Sequence, residues 1–158
     1  MVLLKKRIPD ADEASLSRFV RRACGAVGLL GTVNLLITDN LEMRSLNRRF
    51  RGQDAATDVL SFPAVPGLPG KLAGDLAISA DLAKVGAREF GHPVAAEIKI
   101  LILHGVLHLA GYDHESDGGK MARREARLRE EFRLPAGLIS RNTANSKARK
   151  PSARKVKP

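Results

Sequence analysis

The chain has no tryptophan, one tyrosine and a single cysteine in 158 residues. One cysteine cannot close an internal disulfide, which excludes a secreted disulfide-stapled scaffold and makes a reducing cytoplasm the expected compartment. Five Phe and one Tyr leave little material for an extensive base-stacking surface. Long apolar runs are missing too. The apolar stretch Ile98–Ala110 is 13 residues long and is interrupted by Lys99, His104 and His108, against the ~20 residues needed to span a bilayer. Residues Met1 to Arg7 run apolar and then basic, the reverse of a secretory signal. No membrane partner is expected.

The residues present are those of an ordinary globular protein. With 44% hydrophobic and 28% charged residues, the length favours one domain with a real core, and collagen-like, mucin-like and wholly disordered chains are excluded. The 27 Lys+Arg against 17 Asp+Glu give a formal charge of +10, which invites a nucleic-acid partner because Lys and Arg displace phosphate counterions. The charge is unevenly placed. Residues 141–158 carry seven basic side chains (Arg141, Lys147, Arg149, Lys150, Arg154, Lys155 and Lys157) and no acid, which leaves residues 1–140 at only +3. The tail also holds Pro151 and Pro158 and only one larger apolar residue, Val156. Such a segment cannot offset its ordering entropy. The expected organisation is a folded body over 1–140 and a disordered basic tail over 141–158, serving either as a solubilising extension or as an RNA-binding arm.

Hydrophobic periodicity outlines the body. A short first strand is expected within Val2–Arg7. Leu16, Phe19, Val20, Ala23, Cys24 and Val27 recur at helical spacing, with Asp10 or Asp12 as cap and Gly28 as stop. Cys24 lies on that apolar stripe and reads as a buried core thiol. Val33, Leu35 and Ile37 alternate as a strand does, and Asp39 or Asn40 can cap a helix through Phe50. Val59–Phe62 and Leu72–Ser79 read as strands, joined by a loop over Pro63–Gly70 with three Pro and two Gly. Helices follow over Ala80–Phe90, from Pro93 to about Ala110 with Gly111 as the stop, and over Lys120–Phe132. The class is α+β, a small mixed sheet packed with about five helices.

Three of the four histidines lie within eleven residues, as His104-Gly-Val-Leu-His108-Leu-Ala-Gly-Tyr-Asp-His114. Positions i and i+4 share a helix face, so His104 and His108 can aim both imidazoles at one ion. A left-handed Gly111 can end the helix and bring His114 back to the same point. Three neutral imidazoles leave a tetrahedral Zn²⁺ one open position, the arrangement of a catalytic site. The other reading is a buried helix with two hydrogen-bonded histidines and an unrelated His114. His92, in a turn before Pro93, reads as a surface residue. The spacing also matches the zincin-like frame of metzincin proteases, in which a Glu general base follows the first His. Here that residue is Gly105, so a protease is disfavoured. Asp113, Glu115 and Asp117 are all open as sources of a carboxylate.

The segment His104–His114 resembles, residue for residue, the signature of the YbeY family of bacterial rRNA maturation factors. Arg51-Gly-Gln-Asp-Ala-Ala-Thr-Asp-Val-Leu-Ser-Phe-Pro63 and Gly74-Asp-Leu-Ala-Ile-Ser79 resemble two further blocks of that family, in the same order. There are three departures: Ala56 replaces a common Pro, Gly118-Gly119 replaces a stretch often acidic and helical, which should loosen the start of the last helix, and the basic tail is not part of the family pattern. The resemblance implies a single-strand-specific, zinc-dependent endoribonuclease acting in small-subunit rRNA maturation and ribosome quality control. It maps His104, His108 and His114 onto the ligands of one Zn²⁺ per chain, and Arg51 onto an arginine important for activity. It implies single-stranded rRNA, the small ribosomal subunit and assembly factors as partners, with no DNA substrate.

Such a reading gives Arg51 the role of a bidentate clamp on the scissile phosphate, which Lys cannot reproduce; without the resemblance it would read as a surface salt bridge. Arg48 and Arg49 read equally as an RNA-backbone track or a solvated helix face. Two alternative functions stand beside it: a non-catalytic ribosome-assembly module with a structural metal, and a metal-dependent hydrolase of another substrate.

Overall fold

The computed structural model describes residues 1–65 and 71–135. Nine elements follow in the order β1 (Val2–Leu4), α1 (Glu13–Val27), β2 (Thr32–Thr38), α2 (Asn40–Arg51), β3 (Val59–Pro63), β4 (Leu72–Ser79), α3 (Ala80–Phe90), α4 (Val94–Leu109) and α5 (Lys120–Glu131). This is the expected α+β arrangement of five helices on one mixed sheet. Asp12, not Asp10, caps α1: its carboxylate accepts from the Ser15 amide at 2.7 Å, and the Ser15 hydroxyl accepts from the Asp12 amide in return. Asp39 caps α2 in the same way, accepting from the Glu42 amide at 2.9 Å.

Strand order is β1-β2-β4-β3. The first three run parallel, and β3 pairs antiparallel with β4 at the edge, with Ser61 opposite Leu76 and Phe62 opposite Asp75. Alternation sorts the side chains to two faces. Val33, Leu35, Ile37, Leu76 and Ile78 join α1, α3, α4 and α5 in the main core. Leu36, Leu60, Phe62 and Ala77 face the other way, where Met43 and Leu46 of α2 cover them.

Helix α4 is apolar on every side because it is enclosed on every side, by the sheet and by neighbouring helices. Ile98 and every residue from Ile100 to Leu107 are buried. It bends away from α3 by 112°, and among the described residues no single helix is long and apolar enough to cross a membrane. His92 lies at that bend and corrects the surface reading. Its side chain is only 8% exposed, its Nε2 stands 2.5 Å from Glu97 Oε2, and its ring stacks on Phe90. A carboxylate in the first turn of α4 draws the ring inward, overriding a Gly-His-Pro setting that reads as exposed. The tail over 141–158 and the rest of the Pro63–Gly70 loop beyond Val65 lie outside the described residues.

Candidate metal centre

His104 and His108 stand one turn apart near the C-terminal end of α4, as their spacing requires. The helix stops at Ala110, and Gly111 takes φ +95°, the left-handed region that an L side chain resists. Its amide donates to the His108 carbonyl at 3.0 Å, and the Tyr112 amide donates to the Leu107 carbonyl at 3.1 Å. The returning chain brings His114 to the other two: the three ring centroids lie 4.8, 5.6 and 5.4 Å apart. Asp113 braces this return. Its carboxylate accepts from the Glu115 amide at 3.1 Å and the Ser116 hydroxyl at 3.0 Å, and these bonds hold it below the usual carboxylate range.

The hydrogen bonds assign the tautomers. His108 Nδ1 lies 3.1 Å from the Tyr112 carbonyl oxygen, which can only accept, so Nδ1 carries the proton. His104 Nδ1 lies 2.9 Å from the Glu125 carboxylate and donates to it. With each ring carrying a single proton, on Nδ1, the two Nε2 lone pairs face each other 3.1 Å apart. Burial, followed by the neighbouring His104, pushes the His108 imidazole below its ordinary pKa and favours the neutral form. Two such lone pairs repel at this distance unless a proton or a metal ion lies between them. Nitrogen ligands on a tetrahedral zinc stand roughly 3.3 Å apart, close to that separation. One ligand atom from each of His104, His108 and His114 lies within 4.8 Å of the others. The donor set therefore fits a borderline-soft divalent ion, which the three imidazoles would hold.

Among the described residues no carboxylate joins the set, and the group able to hold an ion comprises these three histidines. Asp113 is committed to the turn, and Asp117 spans the start of α5, accepting from the Gly119 and Met121 amides at 2.9 and 2.8 Å. Asp117 thus anchors the end that the Gly118-Gly119 pair was expected to loosen.

Beside the histidines opens a cavity of about 370 Å³, lined by His104 and His108 together with Arg51, Asn47, Thr57, Asp58 and Ser61. Arg51 ends α2, and its Nη2 donates to the Ser61 carbonyl at 3.2 Å. Among the described residues no carboxylate pairs with it; the nearby salt bridge belongs to Arg44, bidentate on Asp54 at 2.7 and 2.9 Å. Arg51 thus presents an exposed guanidinium at the rim of the histidine cavity. Arg48 and Arg49 are also exposed, with Arg49 over the Phe50 ring.

Two positioning residues were not apparent from the sequence. Ser61 ties the arginine to the histidine helix: its carbonyl holds Arg51, and its hydroxyl donates to the Gly105 carbonyl at 3.3 Å. Glu125 sits within a run of charges that reads as a solvated face. Its place four residues after Met121 and three before Leu128, both buried, puts it on the inward stripe.

The chain is similar to known proteins over most of its length. A family model described as Endoribonuclease YbeY matches residues 6–133. A protein of Koribacter versatilis named Endoribonuclease YbeY is 52% identical over 147 residues, covering 93% of this chain and 95% of its own. One of the same name from Solibacter usitatus is 54% identical over 127 residues, covering 80% and 84%. A Thermotoga maritima protein solved in solution superposes with a TM-score of 0.53 at 26% identity, covering 98% of this chain and all of that one. Its family is therefore settled: the chain belongs to the endoribonuclease YbeY family.

Proposed function

We propose that the chain is a zinc-dependent endoribonuclease that cuts single-stranded RNA, with His104, His108 and His114 holding the ion and Arg51 binding the scissile phosphate. The observation that supports this most is the convergence of the His104 and His108 Nε2 atoms, 3.1 Å apart, on the wall of a cavity whose rim carries the exposed Arg51 guanidinium. A bound zinc ion supplies Lewis acidity toward a phosphoryl oxygen. The other steps belong to side chains. Arg51 holds the phosphate through a planar fork whose position is set by the Ser61 carbonyl. Asn47, 3% exposed, donates to the Ala55 carbonyl at 2.8 Å and fixes the segment between Gly52 and Asp58 that walls the cavity.

The biological substrate in this reading is small-subunit rRNA during maturation and quality control, in the cytoplasm, with the small ribosomal subunit and its assembly factors as partners. It rests on family membership.

Cleavage of a single-stranded RNA by folded His114→Ala and Arg51→Ala proteins tests the site. Both are expected to lose at least about 100-fold in rate, as loss of a charge-stabilising group does; full activity in both would overturn it. Sequencing small-subunit rRNA ends from depleted cells tests the substrate, and normal ends would exclude it.

A further inference from the structure

Helix α5 carries a carboxylate in the middle of its buried face. Met121 and Leu128 are 0% and 1% exposed, and Glu125 between them is 2% exposed. Burying a carboxylate costs several kcal/mol unless it is paired, so a structural helix would place an aliphatic residue there. Glu125 Oε2 instead lies 2.9 Å from His104 Nδ1, across the contact between α4 and α5. The two histidines of α4 are consequently held by unlike acceptors: His108 by the neutral Tyr112 carbonyl and His104 by a carboxylate.

We infer that Glu125 is a positioning residue for the metal site. It accepts the Nδ1 proton of His104, keeps the Nε2 lone pair turned toward His108 and His114, and strengthens that nitrogen as a ligand. The inference rests on the metal-site reading above. It assigns α5 a part in metal affinity, although α5 contributes no ligand of its own. A carboxylate behind a ligating histidine fixes both ring orientation and tautomer, and its loss weakens metal binding by roughly 10- to 100-fold.

The test uses the full chain and the ions themselves. Zinc affinity is measured by competition with a chromophoric chelator for the parent, Glu125→Gln, Glu125→Asp and His104→Ala proteins. The absorption of bound Co²⁺ reports ligand geometry, and thermal unfolding of each metal-free protein reports the fold. Glu125→Gln is expected to keep one ion per chain, bind it about 10- to 100-fold more weakly and alter the Co²⁺ spectrum. Glu125→Asp keeps the charge but draws it back by one methylene, and should recover part of the affinity. If either variant fails to fold, the other carries the comparison, each measured against its own metal-free stability. Parent-like affinity and Co²⁺ spectrum in a folded Glu125 variant would overturn the inference, even with a lowered melting temperature, because that is the pattern of a purely structural residue. Failure of the metal reading itself would look different: His104→Ala would then bind zinc as tightly as the parent.

Discussion

The residue after His104 is where a metzincin frame carries its general base, and packing explains why Gly105 stands there instead. A Cβ on Gly105 would lie 2.6 Å from Leu76 Cδ2 and 3.2 Å from Ser61 Oγ. Leu76 is 1% exposed and has nowhere to retreat. The absent side chain lets α4 approach β3 and β4 closely enough for the Ser61 hydroxyl to reach the Gly105 carbonyl. Gly105→Ala should therefore destabilise the protein: overpacking costs about 1–3 kcal/mol, of which the better helix propensity of Ala returns up to ~1 kcal/mol. Urea unfolding would show a lowered midpoint. In a Leu76→Ala background the same change should be neutral or stabilising, and an equal loss in both backgrounds would refute this account of the contact. Cys24 offers a second check on packing. Burial raises its thiol above the usual value, so the folded protein holds the proton more tightly than the unfolded chain does. The associated stability is fully present below the unfolded thiol's pKa and is lost as pH rises through the folded one. Alkylation by iodoacetamide at mildly alkaline pH should be many-fold slower in the native protein than in urea, and equal rates would place Cys24 outside the core.

Helix α4 and the turn after it act as one unit, since two histidines come from the helix and the third from the returning chain. Gly111 is the hinge of that unit, with φ +95° and open space around its missing side chain. Gly111→Ala thus meets no clash, and its cost of about 1–2 kcal/mol is purely conformational. Because relaxing the turn displaces His114, zinc should stabilise the variant less than the parent at equal concentration. Thermal unfolding with and without zinc measures this, and an undiminished zinc-induced shift would show that the turn does not deliver His114 to the ion.

Much of this unit was legible in the sequence. The i,i+4 histidines, the glycine stop and the apolar flanks all follow local periodicity. So do the alternation in Val33–Ile37 and the bounds of β4 and α3, which the structure reproduces. Strand order was not legible, because β2 pairs with β4 across an intervening helix and strand, with Asn34 Nδ2 donating to the Asp75 carboxylate at 3.0 Å. Such a partner is chosen by long-range packing. Glu125 and His92 were hidden for a related reason. Each is a polar residue in a polar neighbourhood, drawn inward by a group 21 or five positions away.

The molecule as a whole separates chemistry from charge. His104, His108, His114, Arg51 and Glu125 all lie within residues 1–135, while seven of its ten net positive charges lie in residues 141–158. Binding to RNA and cutting it should therefore respond differently to removal of that segment. On single strands the logarithm of affinity falls with the logarithm of salt by ~0.7 per phosphate neutralised, so losing seven basic residues should lower the slope by up to about 5. Fluorescence anisotropy of a labelled single-stranded RNA across a salt series, comparing the full chain with a 1–140 protein, reads this directly. Single-turnover cleavage at saturating RNA should remain at the parent rate, because the proposed ligands His104, His108 and His114 and the proposed phosphate clamp Arg51 are intact. An unchanged salt slope would reduce the segment to a solubilising extension. Loss of cleavage at saturation would give it a place in the chemistry, and the +3 body would then no longer account for catalysis without it.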